Sequence, residues 1–439
     1  MKTRLQGWTS LALCSVLGTG IGLVAVAGSS GTAGAAGGQL SVAPTSLDFG
    51  GVTLGDIAGP GSFTLTNTSS SLPDTITAVT ATGTGAGDFF GLPGTDCVVD
   101  DNTGDITMAP GTTCTIDAYF LPETLGTRNA TVTVTDSADS GISIPLTGVG
   151  TIGYYQVDRS GEVANFGDAG FYGDLTGTPL NRPIVGIAQT GDDGGYWLVA
   201  SDGGIFSFGD AGFFGSAGSI HLNKPVVGIA PTTDGEGYWM VASDGGIFDY
   251  GDAPFYGSAG SLPLNKPVVG MAATPDGGGY WLVASDGGIF SYGDAQFYGS
   301  TGSIHLNKPI VGMASTPDGG GYWLVASDGG VFAYGDAQFF GSTGSIHLAQ
   351  PIVGMAAMPD GGGYWFSAAD GGLFNYGTAP FYGSSAGQGF DTIVGMATDG
   401  APTLNAFFDF GGQRGHATPH TTEPLLRPLP AHAPHFAGS

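Results

Sequence analysis

Between residues 151 and 411 the pattern of apolar and polar positions repeats. In one copy, Ile310-Val311-Gly312-Met313-Ala314 is a short run of small and branched apolar residues. A Thr-Pro-Asp-Gly-Gly-Gly loop follows, then Tyr322-Trp323-Leu324-Val325-Ala326. Ser327-Asp328-Gly329-Gly330 predicts a tight hairpin, because Asp-Gly accepts the positive φ angles such turns need. Val331-Phe332-Ala333-Tyr334 is a third run and Phe339-Phe340 a short fourth. Tyr154, Tyr196, Tyr238, Tyr280, Tyr322 and Tyr364 mark the same point in each copy, 42 residues apart.

Four short strands in a unit of that size predict a β-propeller of about six four-stranded blades over 151–411. A parallel β-helix is the alternative, but its coils are shorter and lack a hairpin in every repeat. The small-residue run suits the crowded centre, and the Phe-rich run the periphery. Inner strands are expected from Ile184, Val226, Val268, Ile310, Ile352 and Ile393. The array opens on a second strand and ends on an inner one, so the last inner strand is expected to complete the first blade and remove an exposed edge. A seventh blade would have to begin at 403–410, with too few residues after it.

Residues 38–150 alternate with period two, as in Ser62-Phe63-Thr64-Leu65-Thr66 and Thr131-Val132-Thr133-Val134-Thr135. Turn-forming clusters separate the runs at the spacing of an all-β sandwich. The whole chain therefore reads as all-β: a sandwich of immunoglobulin-like size followed by the propeller.

Composition narrows the function. Glycine is abundant, at 83 of 439 residues, without the three-residue period of collagen. With 37 acids against 10 bases the net charge is -27, which disfavours nucleic acid and anionic lipid surfaces. Lys2 and Arg4 precede an uncharged run and Ala33-Gly34-Ala35, the order of a secretory signal over 1–35; a retained membrane anchor is the alternative. Cleavage would leave no membrane insertion and two cysteines. Cys97 and Cys114, 17 residues apart, then read as a disulfide. The Pro- and His-rich segment 412–439 reads as a disordered tail.

Candidate chemistry lies in the repeated loops. The Trp row, Trp197, Trp239, Trp281, Trp323 and Trp365, suits packing between blades better than a row of sugar platforms. Second-to-third-strand turns carry Asp202, Asp244, Asp286, Asp328 and Asp370, balanced by Arg182, Lys224, Lys266 and Lys308. The opposite face carries Asp234, Glu236, Asp276, Asp318 and Asp360 in one set of loops, and Asp168, Asp210, Asp252, Asp294 and Asp336 in another, with no compensating base. A ring of carboxylates there, drawn from Asp210, Asp252, Asp294, Asp336, Asp276, Asp318 and Asp360, is a candidate Ca²⁺ or cation site. Asp-Gly turn chemistry is the simpler explanation of the same residues. His221, His305 and His347 stand singly on separate repeats. Gly383-Ser384-Ser385-Ala386-Gly387 matches a nucleophile-elbow pattern but is a drifted repeat with no helix after it. No catalytic residue and no cofactor fingerprint is identified.

Two resemblances add to this. Leu47-Asp48-Phe49-Gly50, Leu65-Thr66-Asn67, Pro110-Gly111-x-x-Cys114, Phe120-x-Pro122 and the closing Leu146-Thr147-Gly148-x-Gly150 resemble the Hydin-type, abnormal-spindle-like (choice-of-anchor) immunoglobulin-like domains. That resemblance implies a spacer or protein-binding module. The Gly-Tyr-Trp-Leu-Val-Ala-Ser-Asp-Gly-Gly repeats resemble those of secreted actinobacterial surface proteins, some of which also carry cell-wall hydrolase domains; it implies location without a ligand. The expectation is a secreted or cell-wall-associated, non-catalytic binding protein whose partner is an extracellular glycan or protein. A propeller-channel hydrolase or lyase, and a purely structural envelope component, are the alternatives.

Overall fold

The computed structural model describes residues 26–27, 33–34, 40–99, 105–137 and 141–400. The segment read as a signal falls almost wholly outside the described residues, as do 403–410 and the tail.

The first unit is two sheets around one core. One sheet orders Leu47–Thr53, Gly141–Thr151, Gly126–Asp136, Asp74–Thr82 and Ile106–Met108, with Val26–Ala27 at its edge. The other orders Leu40–Ala43, Ala58–Asn67, Thr113–Phe120 and Phe89–Pro93, with Ala33–Gly34 at its edge. The period-two pattern of the sequence decides which side chains go inside. Thr113–Phe120 alternates buried and half-buried positions, and Gly126–Asp136 does the same from Ala130 onward. Phe63, Ile116, Val132 and Ile144 meet in the shared core. Cys97 and Cys114 are joined by a disulfide.

Among the described residues the second unit is six sheets of three strands each. Each inner strand, such as Ile310–Ser315, pairs with a middle strand, Gly321–Ala326, and that with an outer strand, Val331–Gly335. Every complete repeat skips one position of its inner strand, as between Ile310 and Gly312, a bulge that kinks the strand near its start. The inner-strand glycines let neighbours converge: a Cβ on Gly395 would lie 3.3 Å from the Cα of Gly186. Gly153–Asp158 pairs with Val163–Gly167 on one side and with the final strand Ile393–Thr398 on the other, so the ring closes through the last inner strand.

The expected fourth strand does not form. Residues 297–298 and their counterparts run as irregular chain. Two aromatic residues are too few for a ladder, and they face opposite ways. Tyr298 turns in and donates from its hydroxyl to Gly319 O of the next blade at 2.8 Å, while Phe297 turns out to solvent.

The propeller core lies between blades. Trp323 packs with Ile352, Tyr364 and Phe366 of the following repeat, and its indole N–H donates to Gln338 O at 2.7 Å. The same arrangement recurs at Trp197, Trp239 and Trp281. Trp365 meets Tyr154 across the closure, ring to ring at 5.5 Å. Such burial takes one large aromatic out of water per blade, roughly 2–3 kcal/mol each before ordering costs.

A candidate binding face with paired carboxylates

The loops after the inner strands and those after the outer strands come together on one face. There the sequence-identified aspartates sort into pairs within a blade. Asp318 and Asp336 are hydrogen-bonded through their side chains, and the Thr316 hydroxyl lies 2.8 Å from Asp318 Oδ1 and 3.2 Å from Asp336 Oδ1. Asp276 with Asp294 and Asp234 with Asp252 repeat the pairing, and Asp210 pairs with Asp192, which is not among the sequence-identified aspartates. Asp360 has no carboxylate opposite, because Thr378 stands where the other repeats have Asp; it accepts from Gly362 N–H at 2.8 Å.

Glycine makes the pairing sterically possible. A Cβ on Gly320 would fall on the Asp336 carboxylate, so the second glycine of the loop is the floor beneath it. Two carboxylates in contact hold a proton between them. Burial, then contact with Asp318, pushes Asp336 above the usual range. Burial also pushes Asp318 up, but the Gly320 N–H, the Thr316 hydroxyl and Asp336 outweigh it and bring it below. Asp294 and Asp252 are raised, and Asp276 and Asp234 lowered, in the same manner. The carboxylates of this face pair within their own blades, Asp360 excepted. Among the described residues no group of three or more His, Cys, Asp or Glu comes together to hold a metal ion. His221, His305 and His347 are each exposed on their own loop.

The six inner strands enclose a channel of about 360 Å³ opening on this face, lined mainly by alanine and threonine. Around the periphery, Phe171, Phe213, Phe255, Phe297, Phe339 and Phe381 are each more than half exposed, one per blade. The sequence showed the aromatic doublets without showing which ring points outward.

On the opposite face Arg182, Lys224, Lys266 and Lys308 enter no ion pair among the described residues, and the pair that forms there joins Arg159 to Asp391. Asp202, Asp244, Asp286 and Asp328 accept from the glycine N–H two residues on, within their own turns. Among the described residues the ion pairs are Arg128 with Asp88 and Arg159 with Asp391.

One cluster is not repeated. Asp193 occupies a position held by Gly235, Gly277, Gly319 and Gly361 in other blades, and it keeps their left-handed backbone at φ 59°. Both its carboxylate oxygens accept from Gly400 N–H, at 2.9 and 3.0 Å, and Oδ1 also accepts from Gln189 Nε2 at 2.8 Å. Its carboxyl meets that of Asp56, in the turn after Leu47–Thr53 of the first unit. Asp399 stands where four repeats have Thr and one has Met358; it accepts from Gly153 N–H and contacts Asp168. The doublet Asp192-Asp193, in place of Asp-Gly, was the sequence signal for this cluster.

Comparison with known protein families finds no match, and comparison with curated proteins finds none. Among solved structures, the chain is similar to the β-propeller domain of Myceliophteria thermophila Cps50 (Swd1), at 9% identity and a TM-score of 0.33. The match covers 45% of this chain and 66% of that one, slightly less than two thirds of its length.

Proposed function

We propose that this is a secreted or cell-surface binding protein in which an immunoglobulin-like first unit serves as a spacer and the propeller grips an uncharged extracellular glycan. The observation that carries the reading is the recurrence of one exposed Phe at the same position of every blade. A solvent-facing aromatic ring costs solubility and does nothing for the inter-blade core. Its bare face suits the C–H face of a sugar ring. Weak sites in six copies on one rigid ring gain avidity on a repetitive polymer. The net charge of -27 works against acidic polymers. The signal-like N-terminal sequence and the Cys97–Cys114 bond support export. A channel enzyme would need accessible, non-repeated polar groups; Gln189 and Asp193 line the channel, but the Asp193 oxygens are occupied by Gly400, Gln189 and Asp56.

The test is a glycan array and a cell-wall polysaccharide pulldown with the full chain. Retention by neutral polymers, without turnover of the retained glycan, is expected. Capture by proteins alone, release of shortened sugar, or no retention would overturn the reading.

A further inference from the structure

The symmetry of the repeats isolates one place where the propeller differs from itself, and the first unit touches it. Leu54 is fully buried in a cluster with Ile152, Tyr154, Met358 and Trp365. The turn that carries it is held by Leu54 N–H to Thr151 O at 3.0 Å and Gly55 N–H to Pro122 O at 3.2 Å. A Cβ on Gly400, which lines the channel, would lie 2.9 Å from Leu54 O, so the turn rests against the channel rim. Beside it Asp56 and Asp193 place carboxyl against carboxyl across the two units.

Two carboxyl groups make a hydrogen bond only with a proton between them. Asp193 cannot hand the charge to a base, because the titratable groups facing the pair are acids or phenols, and its other partners, the Gln189 amide and the Gly400 N–H, do not titrate. Asp192 and Asp168 face Asp56; Asp399 faces Asp193; the hydroxyls of Tyr155 and Tyr172 lie within the same field. The Tyr172 hydroxyl donates to the backbone oxygen of Asp193. The other repeats close the same loop with glycine, so the strained Asp193 is not required for folding the blade; what its side chain adds is the contact to Asp56 together with the hydrogen bonds from Gly400 and Gln189.

We infer that the Asp56–Asp193 contact is a proton-held joint that fixes the first unit against the channel rim and loosens when the shared proton is lost. The inference stands apart from the glycan reading and does not depend on it. Burial, opposed by the hydrogen bond with Asp193, leaves Asp56 at about 6. Burial, then repulsion from Asp56, raises Asp193 to about 9. Burial, then repulsion from Asp168, raises Asp399 to about 8. All three lie above the ordinary carboxyl value. The joint is therefore tightest below that value and weakens as pH rises through about 6 to about 9.

Small-angle X-ray scattering of the full chain between about pH 5 and about pH 10 tests it. The wild type is expected to pass from a compact to a more extended particle within that window. Asp56→Asn supplies an amide donor in place of the proton and is expected to hold the compact form throughout. Asp193→Gly restores the residue of the other repeats and is expected to remove the pH step while the propeller stays folded by circular dichroism. A pH-invariant wild-type particle, or a step that survives in either variant, overturns the inference.

Discussion

Trp323 and Tyr364 belong to neighbouring blades, and their rings meet nearly edge to face at 5.8 Å, both closed to solvent. Replacing Trp323 with Ala should cost about 3–5 kcal/mol, the range for emptying a packed aromatic site. Tyr364→Phe keeps the ring but strands Phe340 N–H and Gly341 N–H and O, which the hydroxyl bonds at 3.1, 3.1 and 2.7 Å. That change should cost roughly 1–3 kcal/mol. Equilibrium denaturation of the two variants checks the ordering.

The closure seam has its own polar key. Gln156 is fully buried where other repeats carry Leu, Met or Phe. Its amide nitrogen donates to Ser367 Oγ at 2.7 Å and Gly371 O at 3.2 Å, and its amide oxygen accepts from Ser385 N–H and Oγ–H at 2.9 and 2.8 Å. Gln156→Leu restores the repeat residue yet should destabilise by roughly 1–3 kcal/mol, because the serine groups lose their partner. Adding Ser367→Val, also the repeat residue, should recover part of that loss. Additive costs in the double mutant would show that the pair does not act as a unit.

The blade tyrosines give a pH prediction at the alkaline end. Burial raises Tyr196 and Tyr280 to about 12, and raises Tyr238, Tyr322 and Tyr364 as well. A raised phenol contributes stability that is complete below its unfolded value near 10 and is lost as pH rises through the folded one. Phenolate absorbance should therefore rise in two stages, with the late stage coinciding with loss of near-ultraviolet circular dichroism. A single stage near the ordinary tyrosine value would contradict the inter-blade burial.

The Cys97–Cys114 bond closes a loop of 17 residues in the first unit. Its removal by Cys→Ala at both positions should lower the stability of that unit by roughly 3 kcal/mol. The propeller transition should not move. Calorimetry that resolves two transitions checks both halves of the statement.

The repeat made the propeller legible: six inner strands, the hairpin turns and the closing pair followed from spacing and small-residue placement alone. The Trp row read correctly as packing because a ring of that size, repeated on a middle strand, has no solvent-facing position to occupy. The fourth strand misled because two adjacent aromatics carry no period, and the side each takes depends on the next blade. Carboxylate pairing was hidden for a related reason. Asp318 and Asp336 lie 18 residues apart, and only the two loops folding onto one face bring them into contact. The Asp56–Asp193 contact spans both units, and no local pattern encodes it beyond the doublet at 192–193.

The central claim is that the exposed Phe ring is the gripping surface. The direct measurement is retention of the full chain on an insoluble neutral cell-wall polysaccharide as Phe255, Phe297 and Phe339 are replaced by Ser one after another. Apparent affinity should fall at each step, by about 10²-fold or more over the series if the sites act together, with an unchanged melting temperature because these rings are outside the core. Equal retention by the wild type and the triple variant, or no retention of the wild type at all, would contradict the account.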